Sequence, residues 1–229
     1  MIDKLLSFIA PHHCYGCLEN GAILCPSCYY DITEHDFGAC AWCLAPAAEQ
    51  NQCRPCARKV GTSGTWVVGE RHDALKRLVG NYKYESAREA AEPLVKLLDE
   101  RIAVLPAGTV VCAVPTIGAH VRQRGFDHAA VLAQKLAERR DLTYTPLLKR
   151  RHQRSQHELK RTARDQAARE AFAITTEVPG SVLLVDDILT TGATLKACVK
   201  LLQAAGAQQI FVGVIARQPL DETPPPLVK

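Results

Sequence analysis

Asp186 and Asp187, followed three residues later by Thr190-Thr191-Gly192-Ala193-Thr194, put two carboxylates and three hydroxyls within nine residues. Carboxylates at that spacing accept hydrogen bonds from neighbouring hydroxyls or hold a cation. Threonine hydroxyls and the backbone N–H groups around a glycine suit a phosphate. The loop lacks the Gly-Lys-Thr of a Walker loop and the Gly-x-Gly of the dinucleotide fingerprint, which excludes both of those phosphate sites. The elements that must carry these groups are also legible. Val182-Leu183-Leu184-Val185 is apolar without alternation, as in a parallel strand buried on both faces. The two aspartates are expected to end that strand, at the carboxyl edge where open α/β sheets bind ligands. Leu195, Val199 and Leu202 continue as a helix whose first turn offers free N–H groups and a positive dipole end.

A second set of chemically capable residues lies near the start. Eight of the ten cysteines form four C-x-x-C pairs, Cys14/Cys17, Cys25/Cys28, Cys40/Cys43 and Cys53/Cys56, separated by seven, eleven and nine residues. Four thiolates make a tetrahedral zinc site, so four pairs make two. The expected pairing joins the first two pairs round one zinc and the last two round another; a crossed pairing, first with third and second with fourth, is the alternative. A thioredoxin-like redox centre would need an enclosing βαβ pattern, which is missing. Residues 11 to 60 hold too little apolar material for a core of their own, so metal would supply the folding energy. Small residues such as Gly16 let the turn close round the ion. His12 and His13 are expected at the surface, and the isolated Cys112 and Cys198 in the core.

A chain of 229 residues, 47% hydrophobic, accommodates one large domain and one small one. No run of about 18 apolar residues occurs and Met1 to Ala10 carries no basic leader, so no membrane partner and a cytoplasmic location are expected. The Gly61 to Thr65 stretch divides a zinc-binding module, 1–60, from a larger domain, 61–220, and the Pro-rich 221–229 is expected to be a disordered tail. Within the larger domain Trp66 to Gly69 reads as a short strand. A helix is expected over 87–101, with Pro93 setting where its regular part begins. Val110 to Val114 and Ile210 to Ile215 are further buried strands. A helix over 129–140 follows the polar Arg122 to His128 stretch. The fold class is therefore α/β: a parallel sheet with strands near 110–114, 181–185 and 210–215 at its centre, helices on both faces, and a zinc module at one end.

Residues 149 to 169 carry eight basic against two acidic side chains, a local charge of +6 in a chain whose net charge is +4. Such a segment cannot bury itself. It is a lid over an anionic ligand, a nucleic-acid contact or a solvated charge run. Arg150, Arg151, Arg154, Lys160 and Arg161 are the candidates for holding phosphates.

The order strand, acidic pair, Thr-Thr-Gly-x-Thr, helix resembles the motif by which type I phosphoribosyltransferases bind phosphoribosyl pyrophosphate (PRPP). That resemblance implies that Asp186 and Asp187 bind the ribose hydroxyls and that Thr190, Thr191, Gly192, Ala193 and Thr194 wrap the 5′-phosphate. It also implies that Thr116 to Gly118 take the pyrophosphate with Mg²⁺, and that Arg124 and Arg164 serve catalysis. The order of parts over nearly the whole chain resembles the ComF family of competence proteins. The likeness rests on the four C-x-x-C pairs, Lys83-Tyr84, Val114-Pro115 with Arg124-Gly125-Phe126, Gln156 with Leu159, Arg161 and Arg164, Ala171-Phe172, and Val185 to Thr194. It implies an N-terminal double zinc ribbon, single-stranded DNA handling in natural transformation and a helicase partner. The alternative is an active phosphoribosyltransferase acting on an unidentified base or amine. Two departures bear on activity: Asp127-His128 stands where the family has Asn-Gln, and Ala167 where it has Asn.

Overall fold

The computed structural model describes residues 13–34, 37–47, 50–84, 88–151 and 171–219. The tail 220–229, most of the basic segment and His12 lie outside the described residues. Five parallel strands make the central sheet: β1 (Gly64–Glu70), β2 (Val110–Ala113), β3 (Thr143–Tyr144), β6 (Ser181–Leu189) and β7 (Gln209–Arg217), in spatial order β1-β7-β6-β2-β3. A separate antiparallel pair joins β4 (Leu148–Arg150) to β5 (Phe172–Ile174). The three strands expected at the centre are there. β3, β4 and β5, of two or three residues each, were not expected.

The sheet is buried on both faces because its apolar strands alternate toward two cores. Val111, Leu183, Val185, Phe211 and Ile215 face one side. That side is covered by α3 (Asp73–Tyr84), α4 (Ala91–Arg101) and α6 (His128–Arg139), with α1 (Pro26–Glu34) packed on α3. Cys112, Val182, Leu184, Val212 and Val214 face the other, under α7 (Ala193–Ala204) with α2 (Arg54–Val60) behind it. Cys112 and Cys198 are both fully buried, as expected of core thiols.

Several expectations need correction. The acidic pair does not end its strand: β6 runs on to Leu189, paired with β7 as far as Leu189↔Arg217. The reason is that β2 leaves first, its last pairing being Ala113↔Val185, so Asp186 and Asp187 keep a neighbour on one side only and stay partly exposed. The expected helix over 87–101 is a 3₁₀ turn, Arg88–Ala90, followed by α4, with Pro93 third in α4, where no backbone N–H is required. Between β2 and α6 lies an unexpected short helix, α5 (Gly118–Arg124), which buries none of its residues and is closed by Gly125 at φ 79°. In the Gly61 to Thr65 stretch, Gly61 caps α2, and β1 begins at Gly64.

Among the described residues no helix is long and apolar enough to cross a membrane. Leu184 is fully buried on the central strand between paired neighbours on both sides, with little freedom to collapse around a smaller residue. Leu184→Ala should therefore cost about 2–5 kcal/mol, read as a lower urea midpoint at unchanged slope.

Candidate phosphoribosyl site and two four-cysteine centres

The connections from β2 and β6 leave in opposite directions, β2 through α6 to β3 and β6 through α7 to β7. That divergence opens a crevice at the carboxyl ends of two adjacent strands, the place where parallel sheets take ligands. Its floor is the acidic pair. Asp187 meets Lys83, from the end of α3, at 2.9 Å in an ion pair with both side chains under 15% exposed. Asp186 accepts a hydrogen bond from the Asp187 amide at 2.9 Å. Burial, and next the charge of Asp187, push the Asp186 carboxyl well above the usual carboxylate range.

The turn after β6 leaves Thr190, Thr191 and Ala193 exposed and Gly192 buried at φ 73°, just before α7 begins. Only glycine takes that left-handed conformation at little cost. The amides of the following turn point out of the helix start, where an anion is favoured. Thr194 is partly exposed, one step into the helix.

Across the crevice Thr116 donates to Asp127 at 2.8 Å, and Asp127 also caps α6 by accepting from the Ala130 amide. The residue that departs from the family pattern thus has a structural task, tying the loop after β2 to α6. Next to it, His128 is 99% buried in a ring cluster with Tyr82 and Phe126. His120, on α5, is held below its usual range by burial and then by the charges of Arg124, Lys83 and Arg150. Of these three cations, Lys83 also pairs directly with Asp187 in the acidic floor. Arg150 lies over the Phe172 ring at 5.2 Å, and the Arg151 amide donates to Ala171 at 2.7 Å, so the two ends of the basic segment stand side by side. Arg154, Lys160, Arg161 and Arg164 lie outside the described residues. Lys83 gave no signal of its own in sequence beyond the Lys-Tyr pair of the family resemblance.

The cysteines group in the expected way: Cys14, Cys17, Cys25 and Cys28 form one set, Cys40, Cys43, Cys53 and Cys56 the other, each with its sulfurs within 4.8 Å of one another. Cys17 and Cys25 sulfurs are 3.7 Å apart, as are those of Cys43 and Cys53. Tetrahedral zinc with bonds of about 2.3 Å requires an edge of about 3.8 Å, so both sets fit the ion.

The two units repeat one local design. The residue after the second cysteine is left-handed (Leu18 at φ 70°, Leu44 at φ 62°), and its amide returns to the first cysteine's carbonyl at 2.7 and 2.8 Å. Gly16 is obligatory for space, since a Cβ there would come within 2.6 Å of the Cys28 sulfur. Burial raises the Cys14 thiol, but the surrounding amides of Cys25, Cys17 and Gly16 outweigh it and bring the thiol down to about 6; Cys40 is brought to about 7 in the same way, chiefly by the Cys53 amide. Burial and neighbouring thiols push Cys28 and Cys56 up. His13 is exposed, as expected.

The phosphoribosyl transferase domain family matches residues 121–226, which contain β6, its acidic pair and the turn. The domain is thus of the parallel-sheet phosphoribosyltransferase type, preceded by four-cysteine units compatible with zinc ribbons. The chain is 29% identical to competence protein F of Haemophilus influenzae over 226 residues, 90% of this chain and 95% of that one. It is 27% identical to competence protein ComFC of Streptococcus pneumoniae over 156 residues, 68% of each. The resemblance to the ComF family is borne out by these relatives. Among solved structures it is similar to the allosteric regulatory enzyme of purine biosynthesis, at 25% identity and a TM-score of 0.45, covering 59% of this chain and 30% of that one.

Metal analysis should find about two zinc ions per chain and Cys25→Ser about one; a folded, metal-free protein would exclude zinc. Asp186→Asn should stabilise the ligand-free protein. A carboxyl whose folded value is raised destabilises the fold once ionised. That penalty is absent below about pH 4, grows as pH climbs toward the folded value and is then constant. The melting temperature of the variant should therefore exceed wild type at pH 7, by roughly 2–4 °C per kcal/mol relieved, and converge with it near pH 4.

Proposed function

We propose that the crevice between β2 and β6 binds PRPP, or a related phosphoribosyl ligand, with Mg²⁺, and that the chain handles single-stranded DNA in the cytosol during DNA uptake. The observation that carries the ligand reading is the meeting, at the carboxyl end of β6, of an acidic pair held by Lys83 with a helix-starting turn rich in hydroxyls. On this reading Asp186 and Asp187 accept from the ribose hydroxyls, and the 190–194 turn donates to the 5′-phosphate. Thr116 and Arg124, joined by Arg164 from the basic segment, bind the pyrophosphate, whose charge Mg²⁺ would help neutralise.

Support for the DNA reading comes from the +6 charge of residues 149–169, launched from β4 and returned through β5, and from two relatives that are named competence proteins. Arg150, Arg151, Arg154, Lys160 and Arg161 would then neutralise strand phosphates, with a helicase as the protein partner. Transfer of phosphoribose to a base or amine is the alternative reading; on it, Arg124 and Arg164 would stabilise the charge that develops on a departing pyrophosphate.

PRPP with Mg²⁺ should raise the melting temperature, and Asp186→Asn combined with Asp187→Asn should abolish the shift. An unchanged shift would place the ligand elsewhere. Affinity for single-stranded DNA should fall steeply with salt, about 0.7 in log–log slope per phosphate neutralised. Reversing Arg150, Arg151 and Arg154 to Glu should weaken binding and flatten that slope. Binding indifferent to both salt and charge reversal would sink the DNA reading, and pyrophosphate release with a base or amine would promote the transferase.

A further inference from the structure

The phosphate turn is not walled by its own domain alone. Gly192 is buried although Thr191 and Ala193 beside it are exposed, and the groups that cover it are the ring of Trp42 and the side chain of Leu189. A Cβ on Gly192 would lie 3.1 Å from Trp42 Cζ3 and 3.2 Å from Cε3, so ring and backbone are in direct contact. Trp42 sits inside the Cys40-x-x-Cys43 turn, between two members of the second four-cysteine set.

Its orientation is fixed at both ends. Nε1 donates to Thr65 Oγ1 at 3.1 Å, and that hydroxyl donates to Gln52, the neighbour of Cys53, at 3.0 Å. Lys196 Nζ, on the first turn of α7, lies 5.7 Å from the ring centroid. One residue earlier, the Ala41 carbonyl accepts from Arg217 Nε at 2.9 Å, and the same guanidinium donates to the Leu189 carbonyl at 3.1 Å. Residues 41 and 42 thus reach both the start of the turn, at Leu189, and its left-handed glycine. The first four-cysteine unit packs instead on the far end of α3, where Gly16 accepts from Arg77 and Ala74 lies beside it.

We infer that Trp42 is a positioning residue of the phosphate turn, and that metal occupancy of Cys40, Cys43, Cys53 and Cys56 sets the affinity of that turn for its phosphate ligand. This inference rests on the phosphoribosyl reading above. Without metal, the four thiols no longer hold the 40–43 turn, Trp42 loses its place, and the 190–194 turn loses the wall that selects one conformation. Ordering it then has to be done by the ligand, at a cost in affinity. The two metal centres are therefore unequal, the second regulating the site and the first stabilising the fold.

The test uses the full chain. In Trp42→Ala the PRPP dissociation constant, measured by calorimetry with Mg²⁺, should rise about tenfold while zinc content stays near two per chain; Trp42→Phe, which keeps the ring contact, should restore most of the affinity. In a Trp66→Phe background Trp42 is the one remaining tryptophan. Its emission should change on addition of PRPP, and inorganic phosphate alone should give the same change at higher concentration. Cys43→Ser should weaken PRPP binding, and Cys17→Ser should lower stability with affinity retained. Should Trp42→Ala fail to fold, the emission change and Trp42→Phe still decide. Wild-type affinity in a zinc-loaded Trp42→Ala protein, or a silent Trp42 signal during binding, overturns this inference and leaves the phosphoribosyl reading standing. Failure of wild type itself to bind PRPP removes both.

Discussion

The unequal reach of the two neighbours of β6 is the constraint on which the site depends. β7 accompanies β6 from Ser181 to Leu189, while β2 pairs only from Val182 to Val185, the last backbone bond on that side running from the Val114 amide to the Val185 carbonyl. Up to Val185 the strand is enclosed on every side and must be apolar. Beyond it, one edge and the adjoining faces open into the crevice, and carboxylates become tolerable while the backbone stays rigidly paired to β7. Functional groups on a continuing strand are held more firmly than groups on a loop. The turn at Thr190 then starts from a fixed point, because Leu189 is buried and its carbonyl is held by Arg217.

The two four-cysteine units complete surfaces that the parallel sheet leaves open. β1 is an edge strand, and the second unit covers part of its free backbone, the Val67 amide donating to Asn51 at 3.0 Å, while the Gln52 side chain accepts from the hydroxyls of Thr62 and Thr65. An exposed apolar edge would otherwise invite pairing with another chain. The first unit adds Cys14, Cys28 and Ile32 to the core beneath α3 and α4. Holding Leu18 and Leu44 in left-handed backbone costs about 1–2 kcal/mol each, which metal ligation in so short a segment can offset.

What could be read in the sequence, and what could not, divides by the range of the interactions involved. Central strands declare themselves through uninterrupted apolar runs, and the grouping of cysteines follows from the closeness of successive pairs along the chain. β3, β4 and β5 are too short to show a period. α5, Gly118–Arg124, has no apolar stripe because it buries nothing. The acidic pair misled as to the end of the strand because sequence does not show that one neighbour stops before the other. Trp42 carries no signal at all in sequence, since its partner lies 150 residues away and the contact exists only after the sheet has brought Leu189 and Arg217 to the second unit.

Charge in the crevice is arranged so that different ligands must use different parts of it. The floor has two carboxylates, Asp187 is ion-paired with Lys83, and burial makes Asp186 costly to ionise. Such a floor gains from hydroxyl donors or a cation and repels phosphate. A few residues away the helix start and the cations acting on His120 attract anions. A ligand bearing vicinal hydroxyls between phosphates matches both halves at once. A polynucleotide backbone presents negative charge at every step and is opposed by the carboxylates, so in the reading proposed here it must stay at the rim, where Arg150 and Arg151 are exposed. The two ligands then need not compete for the same groups.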